Sequence, residues 1–338
     1  MNTGKMKALI LKSYETGTLH LENINIPKLV NGHVLVKIAV SGTNPIDNKI
    51  RTGQAPYAMP ELPAIIGTDM AGTIIAVADD VDHFAVGNEV YGLVGGVRGL
   101  PGTLAEYVLA DVRLIALKPK NLTMREAAAI PLTFLTAWEG LIDKANIQPE
   151  QTVLVQGGAG GVGHMAVQIA VAHGAKVYAI ASQAKKEIIE SYGAIFSDYN
   201  QQTIHECVTE FTAGKGFDVI YNTNGGKQLE QVLEATVPYG HIISSNAFSE
   251  INLAPSSLRN VTISGVFILW PMLENNRRQH HGDILKIATQ LAEENKLKPL
   301  VDPREFDITQ TVEAHHYLAE GKALGKIVIN IPHDANVK

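Results

Sequence analysis

Cysteine is almost absent from this chain: Cys207 is the only one in 338 residues. That excludes an intramolecular disulfide and any multi-cysteine metal site, and it suits a reducing compartment, by default the cytoplasm. Charge is scarce as well. Asp, Glu, Lys and Arg make up 18% of the residues against 46% hydrophobic, where a soluble domain carries about 25% charged residues. Much of the chain is therefore expected inside domain cores or a subunit interface, which favours an oligomer. Positive charge is not in excess, since the formal net charge is -6, so there is no broad basic field for nucleic acid or anionic lipid and any phosphate site must be local. No apolar run approaches the ~20 residues of a membrane span, and the N-terminal MNTGKMKALILKSYETG is too short in apolar residues for a signal peptide. The expectation is a soluble protein whose length allows two domains of about 100 to 200 residues each.

The most informative segment runs from Val153 to Ser182, VLVQGGAGGVGHMAVQIAVAHGAKVYAIAS. Val153 to Gln156 reads as a buried parallel strand, and Gly158, Gly160 and Gly163 then fall at G-x-G-x-x-G spacing. In such a turn the first glycine allows a tight bend, the second lets the backbone approach a pyrophosphate, and the third lets the next helix pack closely. Val162, Met165, Ala166, Ile169 and Ala170 repeat with helical period, and Gly174 stands where a left-handed cap belongs. The helix start would offer free amides and a positive dipole end to phosphate. The expected contacts are Gly158, Ala159, Gly160, Gly161, Val162 and Gly163.

At the end of the second strand, Lys176 to Ala181, an NAD site would place a carboxylate for the ribose hydroxyls. Here stand Ser182, Gln183, Ala184, Lys185 and Lys186, which suit the extra 2'-phosphate of NADP, so NADPH is the expected cofactor. The alternative is that Lys185, Lys186 and Glu187 form only the solvated first turn of a helix.

The first ~125 residues carry short β-like pieces, Lys7 to Leu11, Val34 to Val40, Thr73 to Ala78 and Leu104 to Leu109. Thr123 and Glu126 form a capping box, and Thr133 to Ile142 looks helical. From Val153 onward, strands at Lys176 to Ala181, Ile195 to Ser197, Asp218 to Thr223, His241 to Ser244 and Val261 to Leu269 alternate with helices. A last helix is expected over Ile284 to Asn295 and a last strand over Lys326 to Ile331. The fold class is α/β: a Rossmann doubly wound parallel sheet plus a mostly β N-terminal domain, with the ligand expected between the domains.

Six segments in order resemble the medium-chain dehydrogenase/reductase superfamily, and within it the zinc-independent quinone oxidoreductase branch. They are SGTNPIDNKIRTG (Ser41 to Gly53), IIGTDMAGTI (Ile65 to Ile74), GTLAEYV (Gly102 to Val108), AAAIPLTFLTAWEGL (Ala127 to Leu141), the glycine loop, and ALGKIVI (Ala323 to Ile329). The resemblance implies a GroES-like domain over 1–131 and 271–338, a Rossmann NADP-binding domain over 132–270, and a homodimer or homotetramer joined through the segment Val261 to Leu269. It matches Asn44 and Tyr57 to residues beside the nicotinamide and substrate, Tyr57 with a shifted register because Gln54, Ala55 and Pro56 precede it. Thr136, Tyr199, Asn222, Ser245, Asn246, Phe267, Leu269 and Lys326 match cofactor-side positions, Lys326 as a phosphate contact. Asn44 also reads as a turn residue before Pro45 and Asp47 as a helix cap, while Tyr199, Asn222 and Asn246 also read as turn residues. Phe267 and Leu269 also read as core, and Lys326 as an exposed strand-end lysine.

The departures from zinc alcohol dehydrogenases are as telling. Asn44 stands at the first Cys position, Gly67, Thr68 and Asp69 replace the G-H-E segment, and the third ligand falls near Leu132, so no metal is expected. The pairs His280-His281 and His315-His316 among twelve histidines read as surface features. Cys207 shares a helical face with Ile204, Val208 and Phe211 and reads as core, as does Trp138. Without a Lewis acid to hold an alkoxide, the fitting acceptor is a quinone or α,β-unsaturated carbonyl, whose charge after hydride addition rests on a phenolate or enolate. The alternatives are an enoyl-thioester reductase and a non-catalytic NADPH-binding protein.

Overall fold

The computed structural model describes residues 4–333; positions 1–3 and 334–338, at the ends of the expected first domain, lie outside the described residues. The chain forms two compact units, one from 1–132 with 269–338 and the other from 133–268.

The second unit is built on six parallel strands. In chain order they are Thr152–Gln156, Lys176–Ala181, Ile195–Asp198, Phe217–Asn222, Thr236–Ser244 and Thr262–Gly265, and their order across the sheet is 3-2-1-4-5-6. This is the doubly wound arrangement, whose reversal point falls between Thr152–Gln156 and Phe217–Asn222. The strands are short and apolar because both faces are covered: Val153, Leu154 and Val155 are fully buried. Cys207 packs in the core beside Leu154, Phe217, Ile220 and Ile242, and Trp138 stacks on Phe134 with ring centroids 5.7 Å apart. The helix Pro131–Trp138 passes into a π turn, Glu139–Lys144. There a Cβ on Gly140 would come within 2.6 Å of the Tyr221 ring, so glycine allows the close approach.

The expected strand Val261 to Leu269 is a correction: only Thr262–Gly265 is extended. Val266 still donates to Ser244, but the Leu269 carbonyl already accepts the amides of Met272 and Leu273, so the apolar run leaves the sheet and begins a helical turn, Trp270–Leu273.

The first unit holds a seven-stranded sheet centred on His33–Gly42, which pairs with Asp69–Val77, Tyr107–Asp111 and the C-terminal strand Val328–Asn330. The tail thus returns to the N-terminal part of the chain. A smaller sheet joins Leu19–Asn25, Lys5–Leu11 and Ala64–Ile65. The strand expected from Leu104 begins at Tyr107, because the amides of Thr103 and Leu104 are drawn to the carbonyls of Gly67 and Ile66. The last long helix spans Arg278–Glu293, starting before the expected Ile284. Its Gly282 lies against the backbone of Arg113, where a Cβ would sit 2.7 Å from the carbonyl oxygen. Among the described residues no helix is long and apolar enough to cross a membrane.

Candidate functional site

Two groups of residues carry the chemistry, one in each unit. In the second unit the strand Thr152–Gln156 ends in Gly157, whose φ of +71° is the left-handed bend that glycine tolerates best. The tight turn therefore belongs to Gly157, one position before the first glycine of the expected pattern. Gly158 is required for a different reason, since a Cβ there would lie 2.7 Å from the Cβ of Ala179. On Gly163 a Cβ would lie 2.0 Å from the Gly157 carbonyl oxygen, so the helix Gly161–Ala172 presses directly on the turn. Its N-cap is Gly160, which has no side chain to satisfy the first amides, and Gly160 is exposed with Gly161 and Val162 half-buried. A diphosphate fits this arrangement: bare amides at a positive helix end with no side chain in the way.

Beside the turn lies a cavity of about 660 Å³, lined by Gly157, Ile180, Ala181, Tyr199, Asn224 and His205 among others, and no carboxylate lines it. Tyr199 is 60% exposed. Ser182 opens the short turn Gln183–Lys185 after the second strand, and Lys186 meets Glu190 at 3.8 Å. Ser182, Lys185 and Lys186 are not among the residues that line the cavity.

Asn222 is wholly buried, with its Nδ2 donating to Gln156 Oε1 and its Oδ1 accepting the Gly225 amide at 2.7 Å. Its amide thus ties two strand ends and a helix start together. Ser245 donates its amide to the Asn222 carbonyl, and Asn246 Nδ2 donates to the Asn224 carbonyl at 2.8 Å. Thr136 is buried, and its carbonyl accepts the Tyr221 hydroxyl at 2.8 Å. Phe267 is half-buried and Leu269 fully buried.

The first unit holds the second group. Pro45–Arg51 is a helix whose N-cap is Asn44 and whose third residue, Asp47, accepts the Asn44 backbone amide at 2.7 Å. Asn44 is fully buried. Its Nδ2 donates to Thr68 Oγ1 at 2.9 Å and Asp69 Oδ2 at 2.8 Å, and its Oδ1 accepts from the Lys326 ammonium. Both amide hydrogens are thus engaged inside the chain.

Lys326 is only 4% exposed. Its ammonium also donates to the Thr43 carbonyl at 2.8 Å and lies 3.6 Å from Asp69 Oδ2. It is therefore not an exposed strand-end lysine: the amide of Thr43 binds the Ile327 carbonyl and brings the returning tail against Asn44. Burial pushes the Asp69 carboxyl up and the Lys326 ammonium down, and their mutual attraction restores part of each. Asp47 is pushed up to about 7, first by burial and then by neighbouring Asp69.

Tyr57 is half-buried on the turn after this helix, and desolvation raises its phenol above the usual value. The histidine pairs are not the expected surface features, since His281 and His315 are each 1% exposed. One member of each pair falls on the inner face of its helix.

Residues 30–120 match the alcohol dehydrogenase GroES-like domain, and residues 192–329 match the family described as zinc-binding dehydrogenase. A crystal structure of an alcohol dehydrogenase superfamily protein from Novosphingobium aromaticivorans superposes with a TM-score of 0.93 at 44% identity, covering 97% of this chain and 100% of that one. The 2-methylene-furan-3-one reductase of Solanum lycopersicum is 34% identical over 96% of this chain and 79% of its own length. The NADPH-dependent alkenal/one oxidoreductase, chloroplastic, of Arabidopsis thaliana is 31% identical over the same shares. This chain belongs to the medium-chain dehydrogenase/reductase superfamily, in its zinc-independent quinone oxidoreductase-like branch. It is thus an oxidoreductase of an NAD(P)-dependent family.

Within that superfamily a zinc ion needs thiolate, imidazole or carboxylate donors around an open position. Here the corresponding positions hold Asn44, Thr68 and Asp69, and the Leu132 amide donates to Asp69 Oδ1 at 3.0 Å. With the Lys326 ammonium among them, these residues do not fit a divalent cation. Sequence reasoning missed this Lys326 contact, and it missed Asn224 and His205 on the cavity wall. Asn224 had a local signal, the T-N-G-G run at the tip of the strand ending in Asn222; His205 had none.

Proposed function

We propose that the protein is an NADPH-dependent reductase of quinones or other α,β-unsaturated carbonyls that works without a metal. The observation that carries the cofactor side is the glycine turn, where Gly157, Gly158 and Gly163 leave no room for a Cβ and the following helix start is uncapped. Gly160, Gly161 and Val162 would hold the diphosphate, with Tyr199 and the cavity beside it taking the adenosine end. Ser182, Lys185 and Lys186 favour the 2'-phosphate. Reduced nicotinamide supplies the hydride when bound.

The substrate side rests on two supports. Relatives named 2-methylene-furan-3-one reductase and NADPH-dependent alkenal/one oxidoreductase are 34% and 31% identical over nearly the whole chain. The buried Lys326 ammonium lies against Asp69 and the Thr43 carbonyl, a setting that suits no divalent cation and so supports a conjugated acceptor, whose reduction needs no Lewis acid. When hydride reaches the conjugated carbon, the charge moves to the carbonyl oxygen. A hydrogen-bond donor suffices for the resulting enolate or phenolate, and Tyr57, whose raised pKa keeps the phenol protonated through neutral pH, is the donor we assign. Asn44 acts through the backbone it caps. The lone buried Cys207 suits a reducing compartment, and the cytoplasm is our assignment.

The test is NADPH oxidation in the presence of a simple quinone and a panel of enones, with and without a metal chelator. We expect turnover that the chelator leaves unchanged. Chelator-sensitive alcohol oxidation would overturn the metal-free reading, and NADPH binding without turnover on any acceptor would make the protein a binding module.

A further inference from the structure

The turn that carries Tyr57 is closed on its inner side by its own backbone: the amides of Ala58 and Met59 both bind the Ala55 carbonyl, at 2.9 and 3.1 Å. Ala55 and Ala58 on either side of Tyr57 are fully buried, so the turn is pinned at two points. The carbonyls that face outward are taken by a single residue from elsewhere in the chain. Arg98 donates its backbone amide to the Ala58 carbonyl at 3.0 Å and its Nε to the Tyr57 carbonyl at 3.2 Å. The same guanidinium reaches Glu274 Oε1 through Nη1 at 3.3 Å.

Arg98 has φ +41°, a left-handed conformation that is strained for an L-residue and persists only where the surroundings impose it. They do. The Gly96 amide binds the Pro101 carbonyl at 3.1 Å, the Leu100 amide binds the Val97 carbonyl at 3.0 Å, Val97 is fully buried, and a Cβ on Gly95 would stand 1.8 Å from the Pro101 oxygen. The result is a stiff loop whose one strained residue aims its main chain and its side chain at two successive carbonyls. With both partners about half exposed, the ion pair to Glu274 adds little by itself; its use is to hold the guanidinium plane in line with the Tyr57 carbonyl.

We propose that Arg98, oriented by Glu274, is a positioning residue that fixes the Tyr57 turn and so sets the rate of the reduction without touching substrate or cofactor. The inference rests on the reading of Tyr57 as the donor to the developing oxyanion. Misplacing a reacting group by about an ångström is enough to slow a step by ~100-fold. The loss should therefore appear in kcat, leaving cofactor affinity alone.

The experiment compares R98A, R98K, E274Q, Y57F and the double variant R98A/Y57F in the full-length protein. It measures kcat and KM with an enone, NADPH affinity by fluorescence, and thermal midpoint. R98A should lower kcat about tenfold or more, with NADPH affinity and thermal midpoint unchanged. R98K, which keeps the backbone amide and the charge but not the Nε donor, and E274Q should fall between it and the parent. In the Y57F background R98A should cost nothing further.

If Y57F leaves kcat unchanged, the donor reading falls and the positioning role falls with it. If Y57F slows the enzyme while R98A does not, or if the two losses multiply, the positioning role alone is overturned. If R98A fails to fold, R98K and E274Q decide, and parent-like kcat in both would overturn the proposal.

Discussion

A neutral imidazole with no partner is an expensive thing to bury, and His281 is one. Neither of its ring nitrogens has a hydrogen-bonding partner among the described residues, and burial pushes its pKa from 6.5 to about 3, with His280, Arg277 and Arg278 adding to the shift. The unfolded chain takes up a proton below pH 6.5 and the folded one does not until about 3, so stability from this site is present above 6.5 and is lost as pH falls through that window. Replacing His281→Leu should raise stability at neutral pH by ~1–3 kcal/mol, the cost of an unsatisfied buried polar group, and move the midpoint of acid unfolding downward. Chemical denaturation at pH 7 and pH 5 checks both, and a variant no more stable than the parent at pH 5 would contradict the account. The other residue of first importance, Lys326, is satisfied: two acceptors and a carboxylate surround its ammonium.

At the scale of elements, the glycine turn was legible in the sequence and the node around Lys326 was not, for one physical reason. Gly157, Gly158 and Gly163 are glycines because of atoms within a few residues or on the adjacent strand, so local spacing reports them. Lys326 is buried because a tail strand returns from nearly three hundred residues away to pair with Ser41 and Gly42, and no local pattern encodes which way its side chain then turns. The run from Val261 was overextended because apolarity marks burial but not direction: it continues past Gly265 while the backbone has left the sheet. Two adjacent histidines on a helix point to different faces, and only packing decides which goes inward, so the pairs read as surface in the sequence while His281 and His315 are buried. The Ser182 to Lys186 element is legible yet needs a test, since its lysines do not line the cavity. Replacing Lys185→Ala and Lys186→Ala together should reduce the preference for NADPH over NADH about tenfold, ~1.4 kcal/mol. Steady-state kinetics with both cofactors measures it, and an unchanged ratio would return these residues to the solvated helix start.

For the whole molecule, the sparse charge of the sequence finds its counterpart in one open edge. Thr262–Gly265 is the last strand of the parallel sheet, paired on one side only among the described residues. The Tyr239 amide binds the Arg259 carbonyl, which brings together Tyr239, 81% exposed, and the segment of Leu258, 88% exposed. An uncovered edge with large apolar side chains beside it favours pairing with a second copy. We propose that the protein pairs with a second copy through this edge: the parent should sediment as an oligomer and Leu258→Glu should shift it toward monomer, whereas a parent protein that is already monomeric would contradict the proposal.

The central claim, transfer of hydride to conjugated carbon without a metal, is tested most directly by following the hydrogen itself. NADPH carrying deuterium at the transferred position is incubated with an enone in chelator-treated buffer, and the product is read by NMR. The account predicts a saturated ketone with one deuterium on the carbon β to the carbonyl, formed at the same rate with chelator as without. Deuterium on the carbonyl carbon of an alcohol, or loss of the reaction on chelation, would contradict it.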